Sequence, residues 1–300
     1  MRRQDPRDYQ ILFLSLFLVL GIGIRDPTLR PRLIIVALAT CILTQWVTIS
    51  LTRLKYKNSS PSSSLFHLPA SSVNAPKISS LKSAIITGLS LSLLLRVDQY
   101  TTMVIAGSLA ILSKFLLKVG DKHFFNPANF GIVSVLMLRD DAWVSPGQWG
   151  DSGWYALLFA GTGAMVLKRV GRWDTTAAFL GIYAFLEAMR NLWLGWTWDV
   201  FCHRLMSGSL LLFALFMLTD PRSIPNARKG RLIWAGFIAV LTFILRNQFF
   251  VTTAVFWALF ALAPLTLILD FIWLSPRFSW SEESDQHTVK SVESVSIEAN

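Results

Sequence analysis

The feature that most constrains this chain is a succession of apolar runs, at residues 9–24, 33–51, 81–97, 100–119, 127–138, 153–167, 175–196, 200–219, 232–250 and 252–274, parted by polar breaks. Most approach the roughly 20 residues that carry a helix through a hydrocarbon core about 30 Å thick. Inside such a core every backbone N–H and C=O must find a partner within the protein, so runs of this length read as helices. The chain is therefore expected to be an all-α integral membrane protein with about ten transmembrane helices. Its composition agrees: 53% of the residues are hydrophobic and the mean hydropathy is +0.49.

The net charge of +10 does not point to nucleic acid. The Lys and Arg residues lie in the breaks between apolar runs, where they sort the chain across the bilayer. With the N-terminus in the cytoplasm, most of the 28 Lys and Arg residues fall on the inner side. That asymmetry implies a multi-pass protein of the plasma (inner) membrane with both termini cytoplasmic. The first run lacks a small-residue cleavage site and reads as a span rather than a signal peptide. The expected organisation is one polytopic domain, 1–275, with halves at about 1–140 and 150–275, a serine-rich cytoplasmic loop at 52–80 and a disordered acidic tail at 276–300. Five spans per half is an odd number, so the halves would enter the membrane in opposite orientations as an inverted repeat.

Two bends stand out as candidate sites. In FFNPANFG (124–131), Asn126 is placed to cap a helix and Pro127 suits its first turn. The run from Pro127 to Leu138 holds 12 residues, about 18 Å of helix, so it must begin inside the bilayer thickness. Backbone at that depth has to be buried in protein or face a cavity. Asn126, Pro127, Asn129 and Gly131 would offer a helix N-terminus, a side-chain amide and bare backbone to an anionic or polar group. Lys118 and His123 stand beside them. The second bend carries Thr219, Asp220 and Asn226, and both bends fall on the inner side. The bland alternative is that Asn126 caps, Gly131 allows close helix packing and the cations anchor the interface.

Charge inside the membrane is the other signal. Glu187 lies well within its run, where an unpaired carboxylate would be costly. Arg190 lies one turn on, and Arg204 with His203 forms a second possible partner set, so Glu187, Arg190 and Arg204 mark either an ion pathway or a paired structural charge. Cys41 and Cys202 are isolated, without CxxC spacing. No metal cluster, nucleophile–base set or phosphate loop is legible, so autonomous catalysis is not indicated.

FNPANFG, SGSLLLFALFMLTDP (207–221), IPNARKGRLIWAG and APLTLILD (263–270) resemble the RnfD and NqrB family over roughly residues 5–275. These are membrane subunits of Rnf electron-transport complexes and of sodium-pumping NADH:quinone reductase. The resemblance implies a subunit of an ion-translocating oxidoreductase that holds flavin, FMN or riboflavin, and works with redox partner subunits and a quinone. Electron-carrying relatives attach FMN to a threonine after the fifth span. Here 143–154 reads WVSPGQWGDSGW, with no threonine and only Ser145 and Ser152 as hydroxyls. Any flavin is therefore expected to be non-covalent. In this the chain looks like a stand-alone branch of the family, similar to enediyne-biosynthesis membrane proteins. Two other readings stay open on the residues, a ten-helix solute or ion transporter without redox chemistry and a structural docking subunit.

The topology is directly testable. Single cysteines at positions 62 and 284 should resist an impermeant thiol reagent in intact cells while one at position 148 reacts, and the opposite labelling pattern would invert the orientation.

Overall fold

The computed structural model describes residues 5–23, 28–58, 78–120, 122–145, 158, 161–165, 167–168, 171–276 and 278. Most of the sixth run, the serine-rich loop beyond residue 58, Trp149, Ser152 and nearly all of the tail lie outside the described residues. Helices dominate. The first half holds α1 (Pro6–Gly23), α2 (Pro31–Asn58), α3 (Ile78–Leu94), α4 (Tyr100–Leu116) and the short α5 (Pro127–Leu138). In the second half, helices Trp173–Trp193, Trp198–Leu205, Gly208–Leu212, Arg228–Asn247, Ala254–Leu262 and Leu265–Ile272 follow.

Three of these helices, Pro6–Gly23, Pro31–Thr52 and Arg228–Asn247, are long and apolar enough to cross a membrane alone. Two bent pairs raise the number to five, and Leu81–Leu94, Tyr100–Leu116 and Pro127–Leu138 are shorter apolar helices. Their outward faces are apolar: Leu12 is 59% exposed, Trp193 89% and Phe271 84%. A water-soluble chain would bury such residues, whereas lipid accepts them. The tryptophans at the end of the Trp173–Trp193 helix fit an interfacial belt.

Several details depart from simple spans. Run 200–219 is broken: Trp198–Leu205 and Gly208–Met217 meet at 48°, and Phe213–Met217 winds as a π-helix. Run 252–274 is bent by the same angle between Ala254–Leu262 and Leu265–Ile272, at Pro264, which has no N–H to continue the helical ladder. The Trp234 indole donates to the Leu262 carbonyl at that break, 2.8 Å away. The last three residues of run 81–97 leave the helix as β1 (Leu95–Val97), which pairs antiparallel with β4 (Ala142–Val144). A hairpin of β2 (Lys118–Val119) and β3 (Lys122–His123) precedes α5, its turn opened by Gly120 at φ 60°. Asp174, which reads as an N-cap from its place before run 175–196, sits inside the first turn, because the helix starts at Trp173. Its carboxylate accepts from the Thr175 N–H at 2.9 Å and pairs with Arg231 at 3.0 Å.

In the first half α2 packs on α3 and α4, α1 on α3 and α4 on α5; in the second Trp173–Trp193 packs on Arg228–Asn247. Helix α5 also touches Ala254–Leu262, joining the halves, and Phe213 meets Phe256 edge-on at 5.8 Å. Gly131 sets the α4–α5 distance: a Cβ there would lie 2.6 Å from the Ala106 carbonyl and 2.8 Å from Ala110 Cβ. Gly131→Val should force the helices apart and cost about 1–3 kcal/mol. Gly181→Ala, with nothing within 4 Å of the added carbon, should be neutral or slightly stabilising. Thermal unfolding in detergent would show this, and equal midpoints would remove Gly131 from its packing role.

Candidate functional site

Asn126 does two jobs with one amide. Its Oδ1 accepts from the Asn129 N–H at 3.1 Å, capping α5, and its Nδ2 donates to the Met217 carbonyl at 3.0 Å. Met217 closes the π-helical turn, whose shifted ladder leaves carbonyls for side chains to satisfy. Thr176 Oγ1 serves the Ala214 carbonyl of the same turn at 2.7 Å. Asn126 thus ties the first bend to the chain entering the second.

The two bends wall one cavity of about 500 Å³. Lys118, His123, Asn126 and Pro127 come from the first bend, and Thr219, Asp220, Pro221 and Arg222 from the second. Asp220 accepts from the Arg222 N–H at 3.2 Å, closing the turn, and faces His123 Nε2 at 3.8 Å. Burial raises the Asp220 carboxyl, but His123, the Arg222 amide and the Arg222 guanidinium outweigh it and hold the group below the ordinary carboxylate range. Thr219 spends its hydroxyl on the Leu215 carbonyl at 2.9 Å.

Three expected members lie off this wall. Asn129 is 1% exposed and donates to the Phe256 carbonyl at 3.1 Å, linking α5 to Ala254–Leu262. Gly131 faces α4. Asn226 binds Asp270, its backbone N–H reaching Oδ1 at 2.7 Å and its Nδ2 reaching Oδ2 at 3.0 Å. Asp270 also pairs with buried Lys122, which donates to the Ile224 carbonyl at 2.6 Å. This cluster pins the β2–β3 hairpin to both the second bend and the last helix.

Other cavity residues were not picked out by sequence reasoning: Arg7 and Gln10 on α1, Gln45 on α2, and Ser83, Thr87 and Ser90 on α3. Lys114, which reads from sequence as an interfacial anchor, also faces it. Gln45 is 5% exposed, and its Oε1 has no hydrogen-bond partner among the described residues. The available signal was a polar side chain inside an apolar run, which marks a candidate site whether or not a motif surrounds it.

Glu187 is 2% exposed and pairs with Arg204 at 3.0 Å, while Asn247 donates to its other oxygen at 2.8 Å. The pairing with Arg190 suggested by helical spacing does not form. Arg190 lies over the Trp196 ring, 4.6 Å from its centroid. The break at Met206–Ser207 turns Arg204 back toward Glu187, and that tertiary geometry outweighs proximity along one helix. Arg204 also lines a second cavity of about 400 Å³ with Ser145, Ser207, Ser209, Arg246, Thr252 and Thr253. Phe250 on its wall holds φ 55°, a strained value for a non-glycine residue. The two cavities sit at opposite ends of Gly208–Met217.

Residues 141–275 match the model of the NQR2, RnfD, RnfE family. The matched segment contains the SGSLLLFALFMLTDP, IPNARKGRLIWAG and APLTLILD stretches but begins after FNPANFG. Among similar curated proteins, the D component of the ion-translocating oxidoreductase complex of Actinobacillus pleuropneumoniae serotype 5b (strain L20) is 31% identical over 98 residues, 32% of this chain and 28% of that protein. The corresponding component from Vibrio vulnificus (strain YJ016) is 34% identical over 96 residues, 31% of this chain and 27% of that protein. The aligned stretch thus covers less than a third of these relatives. Over that stretch the family resemblance is shown.

The Lys122–Asp270 pair carries a structural expectation. Asp270→Asn removes the charge partner of a buried ammonium and should cost about 3 kcal/mol, while Lys122→Met combined with Asp270→Leu should cost less than the two single changes together. Additive losses in thermal unfolding would show that the two side chains act independently.

Proposed function

We propose that this chain is a membrane subunit of an RnfD/NqrB-like electron-transfer system whose Asn126 cavity holds a flavin non-covalently. In this reading electron flow is coupled to cation movement, and the redox partners are other subunits and a quinone. The ten-span inverted repeat, the plasma-membrane location and cytoplasmic termini belong to the same proposal, which would put the Asn126 cavity on the inner side.

The observation that carries the reading is the unmet acceptor of Gln45 in a cavity of ligand size. Pockets for drug-sized ligands and cofactors run from about 300 to 1,000 Å³, and this one is about 500 Å³. Phe115, Phe216, Met217, Ile49 and Ile86 give it apolar surface for a ring system. A buried acceptor without a donor costs roughly 1–3 kcal/mol, and a ring N–H of a flavin would relieve it. Gln10 lies on the same wall, its Nε2 donating to the Phe216 carbonyl at 3.3 Å. The cationic side chains would stabilise negative charge gained on reduction. A bound flavin would supply the electron-transfer chemistry, while the chain's own residues bind it, orient it and exclude water.

The Glu187–Arg204–Asn247 network supports a narrower role than an ion path. Each oxygen of its carboxylate accepts a hydrogen bond, one from Arg204 and the other from Asn247, which suits a fixed structural charge that positions Arg204 at the second cavity.

Riboflavin fluorescence should be quenched on titration with the purified chain, and Gln45→Leu should weaken that binding about tenfold, close to 1.4 kcal/mol. No quenching with the unaltered chain would overturn the flavin reading, and unchanged affinity in Gln45→Leu would remove the acceptor from it.

A further inference from the structure

The Asn126 cavity holds more positive charge than its own carboxylate can balance. Among the described residues, Asp220 is the acid on its wall, facing His123 at 3.8 Å. Arg7 is already committed, binding Asp5 through Nε at 3.0 Å and Nη2 at 2.7 Å. Arg222 is engaged with Asp220 through its amide and its charge, and Lys118 is exposed.

Lys114 is different. It is half-buried in the last turn of α4, and its ammonium donates to the Ser83 hydroxyl at 3.1 Å and carbonyl at 3.4 Å. Both partners are neutral, and among the described residues no carboxylate lies within ion-pair distance of it. An ammonium has three donors, so one is left over at a cavity wall. Asp220 acts on it across the cavity without reaching ion-pair contact, and an ammonium whose hydrogen bonds go only to neutral groups attracts an anion more strongly at a half-buried wall than it would in water.

We propose that Lys114 selects the ligand of this cavity by charge, and that the ligand carries a phosphate group that takes the remaining Lys114 donor. The inference rests on the flavin reading: the spare Lys114 donor calls for an anionic group, and on a flavin that group is the phosphate. For a flavin occupant it specifies the mononucleotide over riboflavin, bound by ionic contact without a phosphoester to the chain.

The test titrates FMN, riboflavin and inorganic phosphate into the full-length chain in detergent, alongside Lys114→Gln and Lys114→Arg. Binding is read by flavin fluorescence and by the shift in unfolding temperature. FMN should bind at least tenfold tighter than riboflavin, with phosphate competing. Lys114→Gln should bring the two flavins to equal affinity while keeping riboflavin binding, and Lys114→Arg should restore the preference. Equal affinity of the unaltered chain for both flavins would overturn the charge selection and leave the flavin reading intact. Stabilisation by phosphate that Lys114→Gln abolishes, with no binding of either flavin, would keep the phosphate site and overturn the flavin reading. A chain that binds none of the three would refute both. A preference for FMN that persists in a folded Lys114→Gln variant would move the phosphate to another cation and refute Lys114.

Discussion

The structure turns on the two hydrogen bonds of the Asn126 side chain. A helix as short as α5 can start within the membrane thickness only if its first N–H groups are met by protein, and a π-helical turn can persist there only if its displaced carbonyls are met as well. Asn126 meets one of each, capping α5 and serving the Met217 carbonyl. An aspartate could cap but could not donate, and a serine would not span both partners so easily. From that link follow the juxtaposition of the two bends, the cavity between them and the position of Pro127 on its wall.

Around this link, breaks in helices serve as building elements. The second bend, the π-helical turn and the Pro264 bend each interrupt regular backbone where another element supplies the missing partner. Lys122 reaches the Ile224 carbonyl, Trp234 the Leu262 carbonyl and Thr176 the Ala214 carbonyl. The second cavity repeats the pattern at the other end of Gly208–Met217, where the break at Ser207 and the turn at 250–253 place Arg204 and Arg246 on one wall. Interrupted helices meeting at a cavity are how membrane proteins place polar backbone and charge at depth.

Much of this was legible in local sequence. The Asn-Pro start, the shortness of α5, the turn at Asp220 and the apolar character of the runs all depend on neighbouring residues, and the structure contains each of them. What sequence could not supply depended on tertiary placement. Helical spacing favoured Arg190 as the partner of Glu187, but the break at Met206–Ser207 brings Arg204 instead. Asn129 reads as a site residue beside Asn126, yet the packing of α5 on Ala254–Leu262 engages its amide with the Phe256 carbonyl. Gln45 and Arg7 carry no motif, and only the packing of α1 and α2 against α3 and α4 brings them to the cavity. The two short strand pairs were likewise invisible, since strands of two or three residues have too little periodicity to read.

The claim that the two bends enclose a cofactor site is tested most directly by the visible absorption spectrum of the chain purified gently from its native membrane, followed by acid precipitation. The account predicts a flavin band that passes entirely into the acid supernatant, leaving a colourless polypeptide. A preparation without a flavin band, or one whose colour stays with the precipitated chain, would contradict it.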